Sequence, residues 1–153
     1  MRLTNFSDYA LRLLIFVATK PDELVTIAEV SKAYGISKNH LMKITNTLAQ
    51  GGFVETVRGA KGGLHLAKPA SAINLAAVVR LTESGSDLVE CFNPSTNTCV
   101  INHVCSLKHV LHDALESFYK TLAQVTLAEL VVRSQDLSAI FELRTLNKKR
   151  SRN

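Results

Sequence analysis

Three cysteines lie within fifteen residues, Cys91-x7-Cys99-x5-Cys105, and the 153-residue chain has no others. An odd number of thiols leaves one over in any disulfide scheme. Clustered thiols in a chain with no secretory signal point instead to metal or cluster ligation. Three thiolates fill three corners of a four-cornered site and leave one corner for a weaker ligand, for which Asp8, His103, His109 and His112 are the candidates. Structural zinc also accepts three thiolates and an imidazole, but it usually takes shorter cysteine spacings than seven and five. No Cys-x-x-Cys is present, which disfavours a redox-active thiol pair.

The elements that must position these thiols follow from hydrophobic period and capping. Leu11, Leu14, Ile15 and Ala18 repeat at helical spacing and predict a first helix over about 5–19. Asp8 and Arg12 interrupt its apolar run and no small-residue cleavage site follows, so this is an amphipathic helix rather than a signal peptide. Thr26-Ile-Ala-Glu29 is a capping box opening a short helix, about 26–33. Gly35 supplies a tight turn, and Ser37 is a natural N-cap for a third helix reaching about Gln50. Two short helices around such a turn form a helix-turn-helix. Strand-like segments at 53–57 and 64–66 flank the glycine-rich loop 58–63, a hairpin placed where a wing belongs. That loop lacks the Gly-Lys-[Ser/Thr] ending of a phosphate-binding P-loop. Asn74 caps a fourth helix, about 75–83. Leu107, Val110, Leu111, Ala114, Leu115, Phe118, Leu122 and Val125 then mark a long amphipathic helix, about 106–125, whose apolar stripe is too wide to leave in water. A second capping box, Thr126 with Glu129, starts a further short helix, and the basic tail 147–153 reads as disordered. The expected fold is mainly α: a winged helix-turn-helix with a β-hairpin wing (1–70), a cysteine cluster loop with dimerisation helices (71–133) and a C-terminal extension (134–153).

Charge follows the same division. Residues 1–70 carry nine Lys/Arg against five Asp/Glu, residues 71–130 three against six, and residues 131–153 six against two. A basic front half suits a polyanion. In a helix-turn-helix the start of the second helix enters the major groove. Here it reads Ser37, Lys38, Asn39, His40 and, one turn on, Lys43. Asn suits adenine, Lys suits guanine or phosphate, and Ser caps the helix and reaches backbone. Arg58 and Lys61 occupy the wing tip, where flanking phosphates or the minor groove lie. Taken singly these residues are a solvated helix face and a hairpin loop; in this order and sign they point to double-stranded DNA. The basic tail is a solubilising end that can add salt-sensitive, sequence-independent affinity. No apolar run is long enough to span a membrane, no nucleophile motif or substrate-pocket signature is present, and a cytoplasmic non-enzyme is expected.

Several of these segments together resemble the iron–sulfur winged-helix regulators. The matching pieces are Met1-Arg-Leu-Thr, Asp8-Tyr-Ala-Leu-Arg12, the wing Arg58-Gly-Ala-Lys-Gly-Gly63-Leu-His-Leu66, Pro69-Ala-Ser-Ala-Ile73 and the three-cysteine loop, spanning about residues 1–135. The wording Leu88-Val-Glu-Cys91-Phe, Asn97-Thr-Cys99-Val-Ile, Val104-Cys105-Ser-Leu-Lys108 and Lys38-Asn39-His40-Leu-Met-Lys43-Ile is most similar to the nitric-oxide-sensing repressors of that family. The resemblance implies an iron–sulfur cluster on Cys91, Cys99 and Cys105, [4Fe–4S] in type with [2Fe–2S] as the alternative. In one branch of the family a histidine stands three residues after the last cysteine; here that position is Lys108. The nitric-oxide-sensing branch uses an aspartate of the first helix, reaching the cysteines of the partner subunit. That implies Asp8 as fourth ligand, with His109 second. It also implies a homodimer on a pseudo-palindromic operator, nitric oxide as the signal, and loss of DNA affinity on cluster nitrosylation. An iron-responsive regulator of the same family and a winged-helix DNA binder with structural zinc are the alternatives.

Overall fold

The computed structural model describes residues 2–59, 61–85 and 87–150, with side chains described as far as Arg144. Helix α1 (Asn5–Ala18) starts where Thr4 caps it, the Thr4 hydroxyl accepting from the Ser7 N–H. Its inward face, Ala10, Leu13, Leu14 and Val17, follows the i, i+3, i+4, i+7 spacing of an amphipathic helix. Helix α2 (Ile27–Tyr34) opens on the expected capping box. The Thr26 hydroxyl accepts from the Glu29 N–H at 3.2 Å, and the Glu29 carboxylate accepts from the Thr26 N–H at 2.7 Å. Gly35 ends α2 at φ +74°, a left-handed conformation that costs glycine nothing. Helix α3 (Lys38–Gln50) follows with Ser37 as its N-cap, burying Leu41, Ile44 and Leu48.

The wing is an antiparallel hairpin of β1 (Val54–Val57) and β2 (Gly63–Leu66), with Val57 opposite Gly63 and Val54 opposite Leu66. Sequence patterning misses one feature here. Val25 pairs with Leu64 through two backbone hydrogen bonds, 2.9 and 2.8 Å, so the segment before α2 forms a third rung on the wing.

Helix α4 (Leu75–Thr82) packs against α1, α3 and α5 (Ser106–Ala123). Asn74 caps α4 and also donates to the Ala123 carbonyl at 2.7 Å, while Leu127 N–H donates to Ile73 O, so the end of α5 is laced to the start of α4. Arg80 adds a contact to Glu116 at 3.3 Å and lies 3.9 Å above the Tyr119 ring. Leu127 of α6 (Leu127–Leu130) enters the same core as Leu13, Leu14, Leu41, Ile44, Leu48, Leu64 and Ile73, all fully buried. Each such side chain is worth roughly 1.5–3 kcal/mol of burial.

Helix α7 (Ser134–Arg150) corrects one expectation. The tail from Asn147 is not a disordered run as far as Arg150, because α7 carries through it. No glycine or proline interrupts residues 134–150, and Leu, Glu, Arg and Lys are good helix formers. Residues 151–153, and the side chains of 145–150, lie outside the described residues. Among the described residues no helix is long and apolar enough to cross a membrane.

Candidate DNA-binding face and cysteine loop

The helix-turn-helix presents its second helix as expected. Ser37, Lys38, Asn39, His40 and Lys43 are all exposed, and the Ser37 hydroxyl accepts from the His40 N–H at 3.3 Å. Buried Leu41, Ile44 and Leu48 on the opposite side fix which face looks outward. Two residues that sequence reasoning did not single out share the outward face: Met42, 49% exposed, and Asn46. Their signal was the spacing itself, since they fall at i+3 and i+7 from Asn39. His40 also meets α1. Its ring lies 6.3 Å from that of Tyr9 in α1, a contact no local pattern reveals.

At the wing tip Arg58 and Lys61 are exposed, and the backbone that carries them is tightly drawn. Gly59 sits at φ +116°, and a Cβ on Gly62 would lie 2.3 Å from the Val57 carbonyl oxygen. The glycines let the turn close, and the cations ride on it.

Asp8 is held by its own helix. Arg12, four residues on, grips it with both ends of the guanidinium, Nη2 to Oδ2 at 2.7 Å and Nε to Oδ1 at 3.0 Å. The same guanidinium stands over the rings of Tyr9 (5.8 Å) and Tyr34 (5.9 Å). Burial pushes the Tyr34 hydroxyl up to about 12, with Arg12 pulling it down and Asp8 pushing it up, so Tyr34 is a neutral wall here. One turn earlier, Glu83 at the end of α4 clasps the start of α1. Its Oε1 accepts from the Thr4 N–H at 2.8 Å, the Thr4 hydroxyl at 2.9 Å and the hydroxyl of fully buried Ser7. Glu83 is also the last residue before the segment that leads into the cysteines, so the clasp joins that segment to the DNA-binding head.

The cysteine loop runs between α4 and α5 and is held by polar side chains rather than by a core. Glu90 accepts from the N–H (3.2 Å) and hydroxyl (3.1 Å) of Thr98, Asn97 accepts from the Cys99 N–H (3.0 Å), and Lys108 donates to Asn102 (2.8 Å). Cys105 stands at the N-cap of α5, where the helix dipole favours an anionic ligand. All three cysteines are free thiols, partly exposed. The three cysteines and Asp8 do not form a ready metal-holding group in the single chain: among the described residues no group of three or more His, Cys, Asp or Glu is placed to hold a metal ion. His103, His109 and His112 are exposed, and His112 is tied to the Phe92 ring at 6.1 Å. The donor set itself fits an iron–sulfur cluster: three unpaired thiols, accessible, on a loop that no packed core fixes in place.

Comparison with known proteins settles the class. Residues 3–133 match the family model Rrf2, described as iron-dependent transcriptional regulator. The chain belongs to the Rrf2 family. It is 46% identical over 145 residues to the HTH-type transcriptional regulator NsrR of Halalkalibacterium halodurans, covering 94% of this chain and 99% of that protein. The NsrR of Bacillus subtilis is 46% identical over the same length and coverage. Among solved structures, IscR of T. potens superposes with a TM-score of 0.71 at 20% identity, covering 90% of each chain. Oxidised CymR of Staphylococcus aureus superposes with a TM-score of 0.68 at 24% identity, covering 86% of this chain and 97% of that one. These structures show the shared winged-helix fold. This Rrf2 chain is therefore a DNA-binding transcriptional regulator and not an enzyme.

Proposed function

We propose that this chain is a homodimeric repressor that senses nitric oxide through an iron–sulfur cluster, of the [4Fe–4S] type, and leaves its operator in response. In this reading residues 1–70 read DNA, residues 71–133 hold the cluster and the dimer, and residues 134–153 are an extension. Cys91, Cys99 and Cys105 hold the cluster, with Asp8 as fourth ligand. Ser37, Lys38, Asn39, His40, Lys43, Arg58 and Lys61 face the operator. The observation that carries the reading is the set of three free, partly exposed thiols on a loop that hangs from the DNA head, in a chain 46% identical to NsrR over nearly its whole length.

When bound, the cluster supplies iron that nitric oxide can attack. The rest is the work of this chain's own side chains. To serve as a ligand, the Asp8 carboxylate must leave Arg12, an exchange made easy by the low worth of an exposed i, i+4 ion pair, about 0.3–0.5 kcal/mol. Arg12 stands against Tyr9, and Tyr9 stands against His40 at the start of α3. Where the Asp8 carboxylate sits is thus felt at the DNA-reading end. A coupling of only ~1–3 kcal/mol between the two sites changes DNA affinity about five- to 150-fold.

The test is an absorption spectrum of anaerobically purified protein, with iron and sulfide assayed, before and after nitric oxide, followed by operator release. A broad visible band that nitric oxide bleaches, with release of DNA, is the expected result. A cluster indifferent to nitric oxide, with DNA released on iron depletion alone, would establish the iron-responsive reading instead. Colourless protein with stoichiometric zinc would overturn both.

A further inference from the structure

We propose that Glu83 is a positioning residue that couples the root of the cysteine loop to helix α1 within one chain, so that the state of the loop reaches the DNA-reading head through it. Glu83 stands at the C-cap of α4. A helix C-terminus carries partial negative charge and disfavours a carboxylate, so the local position gives this side chain no support. Its support is tertiary. At the start of α1, the positive end of that helix, one carboxylate oxygen accepts from the Thr4 N–H (2.8 Å), the Thr4 hydroxyl (2.9 Å) and the Ser7 hydroxyl. Bonds to an ionised acceptor are the stronger kind. Ser7 is fully buried, so its hydroxyl needs a protein acceptor and finds one here. A conflict between local preference and tertiary contact is the pattern expected at functional positions.

Each side of this junction leads to a part that the proposed function uses. On the α1 side, Asp8 follows Ser7 in sequence, and Tyr9 after it meets the His40 ring at 6.3 Å. On the other side lies Gly85, at φ +93°, and seven residues separate Glu83 from Cys91. The loop root is not packed solid. Leu88 lines a cavity of about 260 Å³ together with Glu83, with Leu3 ahead of α1, and with Leu115 and Phe118 of α5. That space leaves the loop root room to shift, and a shift there draws on the carboxylate that holds Thr4 and Ser7. A contact that merely capped α1 would stabilise the head equally in every state of the loop. A coupling contact favours one state over the other.

This inference rests on the proposed function, in which the loop holds a cluster whose state sets DNA affinity. Operator affinity is measured for cluster-loaded and cluster-free full-length protein, unsubstituted, Glu83→Gln and Glu83→Ala, with the visible spectrum recorded for each. In the unsubstituted protein the two affinities should differ about five- to 150-fold, the range of a coupling between sites. Glu83→Ala should keep the visible band but bring the two affinities within about threefold of each other. Glu83→Gln keeps an accepting oxygen at the same reach and should retain most of the difference. Hydrogen exchange gives a readout that needs no cluster. In cluster-free Glu83→Ala the Thr4 and Ser7 amides should exchange faster, with those of Leu13 and Leu14 unchanged. If Glu83→Ala does not fold, Ser7→Ala, which removes one donor from the same carboxylate, takes its place in both measurements, with the same outcomes expected at smaller size. An affinity difference equal to the unsubstituted protein's would overturn the coupling and leave the sensing reading intact. So would unchanged exchange at Thr4 and Ser7, or a lost visible band, which would put Glu83 in the cluster site itself. Unsubstituted protein with equal affinity in both forms would overturn the sensing reading and the coupling with it.

Discussion

Asn39 and Lys43 stand one turn apart on the outward face of α3, and in the proposed DNA interface their chemistries would separate base reading from anchoring. An amide can bond adenine through two atoms at once, so Asn39→Ala should cost about 1–3 kcal/mol on the operator and relax preference at one base position. Lys43→Ala or Lys61→Ala should instead weaken binding to all duplexes alike and lower the salt slope by about one. Anisotropy titrations on the operator and on single-base variants distinguish the two patterns. Asp8 poses a different question at the same scale. Asp8→Ala removes an exposed ion pair and should barely move the melting temperature, yet it should change the visible spectrum of the anaerobic protein and its DNA affinity. An unaltered spectrum would remove Asp8 from the ligand set. In the structure Asp8 pairs with Arg12 four residues on. The Tyr9–His40 contact was illegible because the partners lie on different helices, and side-chain packing between helices leaves no local pattern.

Elements were the most legible scale, because caps and glycines act locally. Thr26 and Glu29 announced α2, Ser37 announced α3, and the glycines of the 58–63 loop announced the wing. The rung between Val25 and Leu64 and the seat of α7 depend on long-range contacts and were missed. α7 also lacks a strong apolar stripe, its hold on the head coming chiefly from Phe141 and Arg144. The capping box carries a pH dependence. Burial pushes the Glu29 carboxyl up, but hydrogen bonds from the Thr26 N–H and hydroxyl, with the charge of Lys20, outweigh it and hold it below its ordinary 4.5. A group depressed in the folded state stabilises above its unfolded value, and that contribution disappears as pH falls through the lower folded one. Thermal melts should therefore show part of the stability lost on acidification below about 4.5, and Glu29→Gln should flatten that part. Gly62→Ala tests the wing. Its Cβ would meet the carbonyl oxygens of Val57 (2.3 Å) and Gly59 (2.9 Å), both backbone, so the hairpin must shift. A loss of about 1–3 kcal/mol in denaturant melts is expected, as for other overpacked sites. DNA affinity should fall more than in Lys61→Ala, because the whole wing tip is displaced.

At the scale of the whole molecule, α5 is packed on α4 along one side only. None of its 18 residues is buried. Leu107 and Val110 are each 62% exposed, and Ile101 and Val104 in the loop before them are 54% and 83% exposed. The side toward α4 is satisfied by Arg80 with Glu116 and Tyr119, so what remains in water is the other part of an apolar stripe. Large apolar side chains left exposed at helical spacing suit an interface. In the proposed homodimer a second copy would supply the matching stripe, and two-fold pairing would set two α3 helices to read half-sites about one turn apart. The stripe was visible in the sequence as period, but which part of it faces α4 was not, because that depends on how the Asn74 lacing orients the helix. Val110→Asp places a charge in the centre of the exposed part without touching the head. Sedimentation should show a monomer with an unchanged circular dichroism spectrum. Its affinity for a two-half-site duplex should fall about 10²–10⁴-fold, the advantage that linking two heads confers. Binding of one head to a single half-site should survive, since Leu41, Ile44 and Leu48 still hold α3 in place. A Val110→Asp protein that remained dimeric would move the interface away from α5 and leave its exposed stripe to another partner.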